Sequence, residues 1–202
     1  MKNTTLDQIH QAAYEEFLEK GFKSASLRQI VRKAGVTTGA FYGYYRSKEE
    51  LFSALVKPVY DHILQEYKQA HEIYSELDEK QRIESMTSFS EGYVFQLFEY
   101  CFDHKRELVL ILKKSEGTVY SNLVDQMVDI ETQATEECYE LLEKNGQKVA
   151  VHNRKLDHIL ATGTVNSCFE LILHDFSREE MRLYLTKIWE FYQAGWKTVL
   201  GL

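Results

Sequence analysis

Thr37, Thr38, Tyr42, Tyr44 and Lys48 lie within the stretch GVTTGAFYGYYRSKEEL, residues 35–51. Two threonine hydroxyls, two tyrosine hydroxyls on rigid rings and an ammonium group are donors that suit phosphate oxygens. The threonine methyls can also meet thymine in a major groove. Gly39 and Ala40, beside the threonines, are small enough to let backbone approach a groove wall. Carboxylates are missing from this stretch until Glu49. Each would repel a polyanion.

The charge distribution has the same bias. Residues 1–48 hold eight Lys/Arg and four Asp/Glu, a net of +4, whereas the remainder holds sixteen and twenty-seven, a net of -11. From Gly21 to Lys48 there are six basic residues and no acid. This fits an anion-binding head on an acidic body. It fits equally a solvated basic face.

Helices must position these groups. The chain has 202 residues with one proline and ten glycines, which favours long helices over a many-turned β architecture. Thr4 or Thr5 can cap a first helix whose Leu6, Ile9, Ala13 and Phe17 share one face. Gly21 suits its left-handed end. Ser26 and Gln29 have capping-box spacing for a second helix, with Leu27, Ile30, Val31 and Ala34 inward and Gly35 at its end. Thr37 can cap a third over about 38–45, with Phe41 and Tyr45 inward. The result is helix, short turn, short helix, the spacing of a helix-turn-helix. Its second helix can enter a DNA major groove.

Ser47 opens a fourth helix into the low 70s, where Pro58 predicts a kink or break. Further helices are expected over about 79–103, 105–114, 121–145, 152–174 and 177–200. The architecture is therefore all-α, about nine helices, with a helix-turn-helix head over 1–47 and a helical body over 48–202.

The segment IHQAAYEEFLEKGFKSASLRQIVRKAGVTTGAFYGYYRSKEELF, residues 9–52, resembles the N-terminal domain of the tetracycline-repressor (TetR) family of bacterial transcription regulators. Ala12, Ala13, Phe17, Gly21, Phe22, Ile30, Ala34, Gly35, Val36, Gly39, Phe41, Tyr42, Tyr45, Ser47, Lys48 and Glu49 agree with the family pattern in register. The resemblance covers about a quarter of the chain. It implies a DNA-binding domain over 1–47, a helical ligand-sensing and dimerisation domain over 48–202, and phosphate or base contacts for Arg28, Thr37, Thr38, Tyr42, Tyr44 and Lys48. Three departures stand out. Ala25 replaces a frequent threonine, Tyr45 a common phenylalanine, and Gly43 a larger side chain. Gly43 also removes a possible base contact.

The acidic body carries two further patterns. Leu156, Leu160, Gly163 and Ser167 on one helix, and Leu185, Trp189, Tyr192 and Trp196 on the last, form stripes that could pair with a second copy as a four-helix bundle. Phe89, Tyr93, Gln96 and Tyr100, with Asn166 and Glu170 as polar partners, could line a pocket for a moderately apolar small ligand. An inward-packed, filled core is the alternative for both.

The expected function is a ligand-responsive repressor that binds a near-palindromic DNA operator as a homodimer. A helical protein-interaction module with a vestigial head is the alternative. HExxH, GxSxG and Gly-rich phosphate-loop motifs are absent, and the seven histidines and three cysteines lack metal spacing, so no enzyme activity, cofactor or metal is expected. The longest apolar runs are short and the odd cysteine number suits a reducing compartment. A cytoplasmic protein without a membrane partner is expected.

Overall fold

The computed structural model describes residues 4–85, 91–147 and 152–201. Helices account for the ordered structure, with no strand among the described residues. They divide into two compact units.

The first unit comprises residues up to 62 together with 104–123. Helix α1, Thr5–Ser24, starts at a capping box: Thr4 Oγ1 accepts the Asp7 N–H at 3.1 Å, and the Asp7 carboxylate accepts the Thr4 N–H at 2.9 Å. Ile9, Ala12, Ala13 and Phe17 are buried along one face. Gly21 takes φ 71° within α1, a conformation costly for any residue with a Cβ. That turn brings Phe22 onto Phe17 and Phe52, with ring centroids at 6.2 and 5.1 Å.

Ser26 caps α2, Leu27–Ala34, and Gly35 closes it at φ 67°. Thr37 caps α3, Thr38–Tyr42, by accepting the Ala40 N–H at 3.1 Å. The third helix is shorter than its expected span to 45, although Tyr45 N–H still reaches the Phe41 carbonyl at 3.1 Å. Helix α4, Lys48–Glu76, runs through Pro58 as a single helix, so the break that proline allowed does not occur.

The compact unit is larger than the residues up to 47 expected from sequence. Residues 104–123 join it through α7, Lys105–Val109, a wide π turn, Leu110–Lys114, and a 3-10 turn, Val119–Asn122. The sixth helix therefore ends early as a regular α-helix. The buried Ser115 hydroxyl ties back to the Ile111 carbonyl at 2.5 Å where the π turn stops. Tyr14 donates to Glu107 at 2.5 Å, and Arg106 stacks on the Tyr14 ring at 3.8 Å. Tyr120 packs on Phe52 and Tyr60.

The second unit comprises 63–103 and 124 onward. It contains the end of α4, then α5, Glu79–Ser85, α6, Glu91–Asp103, α8, Leu123–Lys144, α9, Arg154–Leu173, and α10, Arg178–Leu200. Leu97, Phe98, Met127, Val128, Ala161, Val165, Phe169, Ile172, Met181 and Leu185 form its core. Ser177 and Glu180 make a second capping box at the start of α10. Arg178 and Arg182 both bind Glu99 and so fasten α10 to α6.

Candidate DNA-binding surface and ligand cavity

The recognition segment is exposed where DNA contact requires it. Arg28, Thr37, Thr38, Gly39, Ala40, Tyr42 and Tyr44 all face solvent. Tyr42 is 54% exposed and Tyr44 47%, high for large aromatic side chains. Phe41, between them, is fully buried and anchors α3 from below. Thr37 uses its oxygen as an acceptor for the helix cap. Its hydroxyl proton remains available for a phosphate.

The cations of the head sort by residue type. Lys20 pairs with Glu19, Lys23 with Glu116 at 2.5 Å, and Lys33 with Glu16 at 3.0 Å and Glu19 at 3.7 Å. Lys48 is placed differently from the expected phosphate contact. Its ammonium donates to the carbonyls of Phe22, Lys23 and Ala25 at 2.7, 3.3 and 3.2 Å, and lies 4.6 Å from the Phe22 ring. It satisfies carbonyls left open where α1 ends. Arg28, Arg32 and Arg46 are exposed, and their guanidinium groups make no ion pair among the described residues. Among the described residues the unspent positive charge of the head is therefore carried by arginine.

Two polar contacts fix the geometry beneath this surface. The buried Glu16 carboxylate accepts the Ser26 N–H at 3.1 Å, at the start of α2. Burial works to raise the Glu16 pKa, but the Ser26 amide and the Lys33 ammonium outweigh it and hold it below 4.5. Tyr45, the departure from phenylalanine, finds His10 Nε2 at 2.5 Å. That bond joins α1 to the chain just after α3.

The second unit encloses a cavity of about 170 Å³ between the end of α4, α6, α8, α9 and α10. Tyr93 lines it as expected. Gln96, Tyr100, Asn166 and Glu170 do not. Gln96 is exposed on α6, Asn166 is exposed with its amide on the Thr162 carbonyl at 2.9 Å, and Glu170 is exposed beside His174 at 3.5 Å. Tyr100 lies further along α6, away from the lining positions 93, 94, 97 and 98. Phe89 lies outside the described residues. The lining that the sequence reading missed comes from Tyr67, His71 and Tyr74 on α4 and Glu131, Thr135 and Cys138 on α8. Both sets repeat at four and seven residues. A polar and aromatic stripe on a helix face that also carries core residues was the available signal.

Glu131 organises the polar side of the cavity. Its Oε1 accepts the Tyr67 hydroxyl and lies 3.3 Å from His71 Nε2. Burial opposes charge on both partners, yet the pair wins: the His71 pKa is raised above 6.5 and that of Glu131 lowered below 4.5. Cys138 and Cys168 also line the cavity, and burial pushes their thiols up to about 11 and about 12, so they add no charge at neutral pH.

Residues 9–55 match the family model described as bacterial regulatory proteins, tetR family. The head is a tetR-family domain. The regulator YvdT of Bacillus subtilis, whose function is uncharacterised, is 42% identical over 62 residues, 31% of this chain and 32% of that protein. The chain thus aligns with about a third of that relative's length. The tetR fold continues through the body. A TetR-family regulator from Streptomyces coelicolor has a TM-score of 0.62 at 16% identity, covering 96% of this chain and 91% of that one. FadR of Bacillus subtilis, solved with stearoyl-CoA, has a TM-score of 0.55 at 16% identity, covering 93% and 97%.

The body directs its last two helices differently from the sequence expectation. Leu185 is buried, and Trp189, Tyr192 and Trp196 line the cavity. Gly163 and Ser167 accommodate Tyr192 of the same chain: a Cβ at 163 would lie 3.3 Å from the Tyr192 hydroxyl, which bonds Ser167 Oγ at 2.8 Å. Leu156 and Leu160 are half-buried. The large apolar side chains left outside are Ile159 on α9, at 64%, and Leu183, Tyr184 and Phe191 on α10, at 56, 36 and 72%. The inward stripe has the bulkier residues, which is why the sequence pattern favoured it.

Proposed function

We propose that the protein is a DNA-binding transcriptional repressor that grips a near-palindromic operator as a homodimer and releases it when a small ligand fills the cavity. The observation that carries this reading is the recognition segment, where Thr37, Thr38, Tyr42 and Tyr44 stand exposed on a tetR-family head above a buried Phe41. Arg28 supplies unpaired charge at the start of α2. Relatives that share the head are named transcriptional regulators, among them the repressor KstR2 of Mycolicibacterium smegmatis. That leaves the interaction-module alternative without support.

The cavity supplies the sensing half of the reading. A fold relative holds stearoyl-CoA, and Tyr67, His71 and Tyr74 of α4 line the cavity here. Helix α4 starts at Lys48 in the head, so a ligand that shifts its far end acts on a helix the head contains. The shift requires a ligand with different affinities for the two states. A two-fold dimer would set two recognition helices about 34–36 Å apart, one DNA turn. Among the described residues no helix is long and apolar enough to cross a membrane.

The test is binding of the purified protein to duplexes tiled from DNA upstream of its own gene, at two salt concentrations. Selective binding that falls with Tyr42→Ala and Arg28→Ala supports the reading. Equal, weak binding to every duplex, unchanged in both variants, would reject it.

A further inference from the structure

The wall chemistry of the cavity narrows its ligand, and this step rests on the cavity being the sensing site. Among the described residues the charged side chains of the lining are Glu66, Glu131 and His71, with no lysine or arginine. Even with His71 protonated, two carboxylates face one cation. The bonds from Tyr67 and His71 both land on Glu131 Oε1. Oε2 of that carboxylate makes no hydrogen bond among the described residues, and Glu131 keeps about a third of its side-chain surface, 32%, open on a wall of the cavity. Lining the same cavity are Tyr67, Tyr74, Tyr93, Phe98, Trp189 and Trp196. Ring faces are negative and attract a cation stripped of water.

From this arrangement we infer that the cavity takes a small organic cation, an amine or quaternary ammonium on an apolar body, with its charge against Glu131 Oε2 and the ring faces. An anionic ligand would bury its charge beside Glu131, where the His71 cation is already paired with that carboxylate and no lysine or arginine is among the described lining residues, which is strongly unfavourable. A purely apolar ligand would leave Oε2 desolvated against hydrocarbon. The volume of about 170 Å³ suits a body of one aromatic ring, since an engineered cavity of about 150 Å³ in another protein holds benzene. The Trp189 indole N–H, buried without a hydrogen-bond partner among the described residues, offers a donor to a ligand that also bears an oxygen.

Both tryptophans of the chain, Trp189 and Trp196, line the cavity, so intrinsic fluorescence reads occupancy directly. The probes are phenyltrimethylammonium, its neutral isostere tert-butylbenzene, and benzoate. The full chain should respond to phenyltrimethylammonium with at least about tenfold higher affinity than to tert-butylbenzene, and not to benzoate. Glu131→Gln should remove that preference, weakening phenyltrimethylammonium binding and easing that of tert-butylbenzene, which no longer desolvates a carboxylate. Equal or tighter binding of the neutral or anionic probe overturns the assignment, as does an undiminished preference in Glu131→Gln. Should Glu131→Gln fail to fold, the matched probes on the unaltered protein decide alone. Silence towards all three overturns it too. Operator binding by the same preparation separates the outcomes: retained DNA binding with no cation response rejects the ligand class only, and cation binding without any DNA binding rejects the regulator.

Discussion

The Glu16 carboxylate accepts the backbone N–H of Ser26 at 3.1 Å, so a buried acid on α1 holds the first turn of α2. Lys33, one helix on, closes the arrangement at 3.0 Å. Replacing Glu16 by alanine leaves that N–H without its partner and should cost about 1–3 kcal/mol. The carboxylate is held below its ordinary 4.5 in the folded protein. Its contribution is thus complete above pH 4.5 and fades as pH falls through the lowered folded value. Thermal melts of the wild type should drop below pH 4.5 more steeply than those of Glu16→Gln. Parallel curves would mean that Glu16 does not carry this linkage.

Arg28 and Lys48 should separate cleanly, although the sequence reading gave both to DNA. Arg28→Ala removes an exposed, unpaired cation. It should leave the melting temperature unchanged and lower the slope of log affinity against log salt by about one. Lys48→Ala removes the donor to three α1 carbonyls. It should lower the melting temperature and weaken DNA binding only as far as the head loosens, with the salt slope intact. A salt slope that falls in Lys48→Ala, at unchanged stability, would return Lys48 to the phosphate-binding set.

The contrast between these two residues shows what sequence can carry. Thr4, Ser26, Thr37 and Gly35 act through bonds or backbone angles within a few residues of themselves, and each helix boundary they imply occurs; Gly21, expected to end the first helix, instead kinks the chain within α1, which runs on to Ser24. Lys48 acts across more than twenty positions of chain, on carbonyls that no spacing rule identifies. The cavity has the same character. Tyr67 and Glu131 sit on separate helices, and only packing turns their polar ends towards one another. Trp189, Tyr192 and Trp196 formed a correct stripe, but a stripe alone does not say whether the chain or a second copy covers it.

The His71–Glu131 pair should contribute most to the stability of the second unit between two pH limits. His71 is raised above 6.5, because Glu131 outweighs burial. Its contribution is complete below pH 6.5 and is lost as pH rises through the folded value. Glu131, lowered below 4.5, contributes above pH 4.5 and loses that as pH falls further. The pair is therefore most stabilising from about pH 4.5 to 6.5. His71→Gln should flatten the alkaline side of the melting profile and cost about 1–3 kcal/mol within the window. An unaltered profile would show that another group governs it.

Phe191 should hold the proposed homodimer together. At 72% exposure it carries an aromatic ring into solvent, seven residues beyond Tyr184 on the open side of α10. The next turn adds the exposed Ala194 and Gly195, where a Cβ would meet nothing within 4 Å. An aromatic beside small residues lets a second helix approach closely, and interface cores favour such anchors. Phe191→Glu places a charge there without disturbing buried packing. It should shift sedimentation from dimer towards monomer by at least about tenfold in the dissociation constant, keep the helical circular dichroism, and weaken operator binding because one head then grips one half-site. Leu185→Ala is the counterpart. Leu185 is buried within the chain, so the change should cost about 2–5 kcal/mol of stability and leave association of the folded protein unaltered. If Phe191→Glu remains fully dimeric, the copies meet through another surface, and the outward side of α10 has no part in assembly.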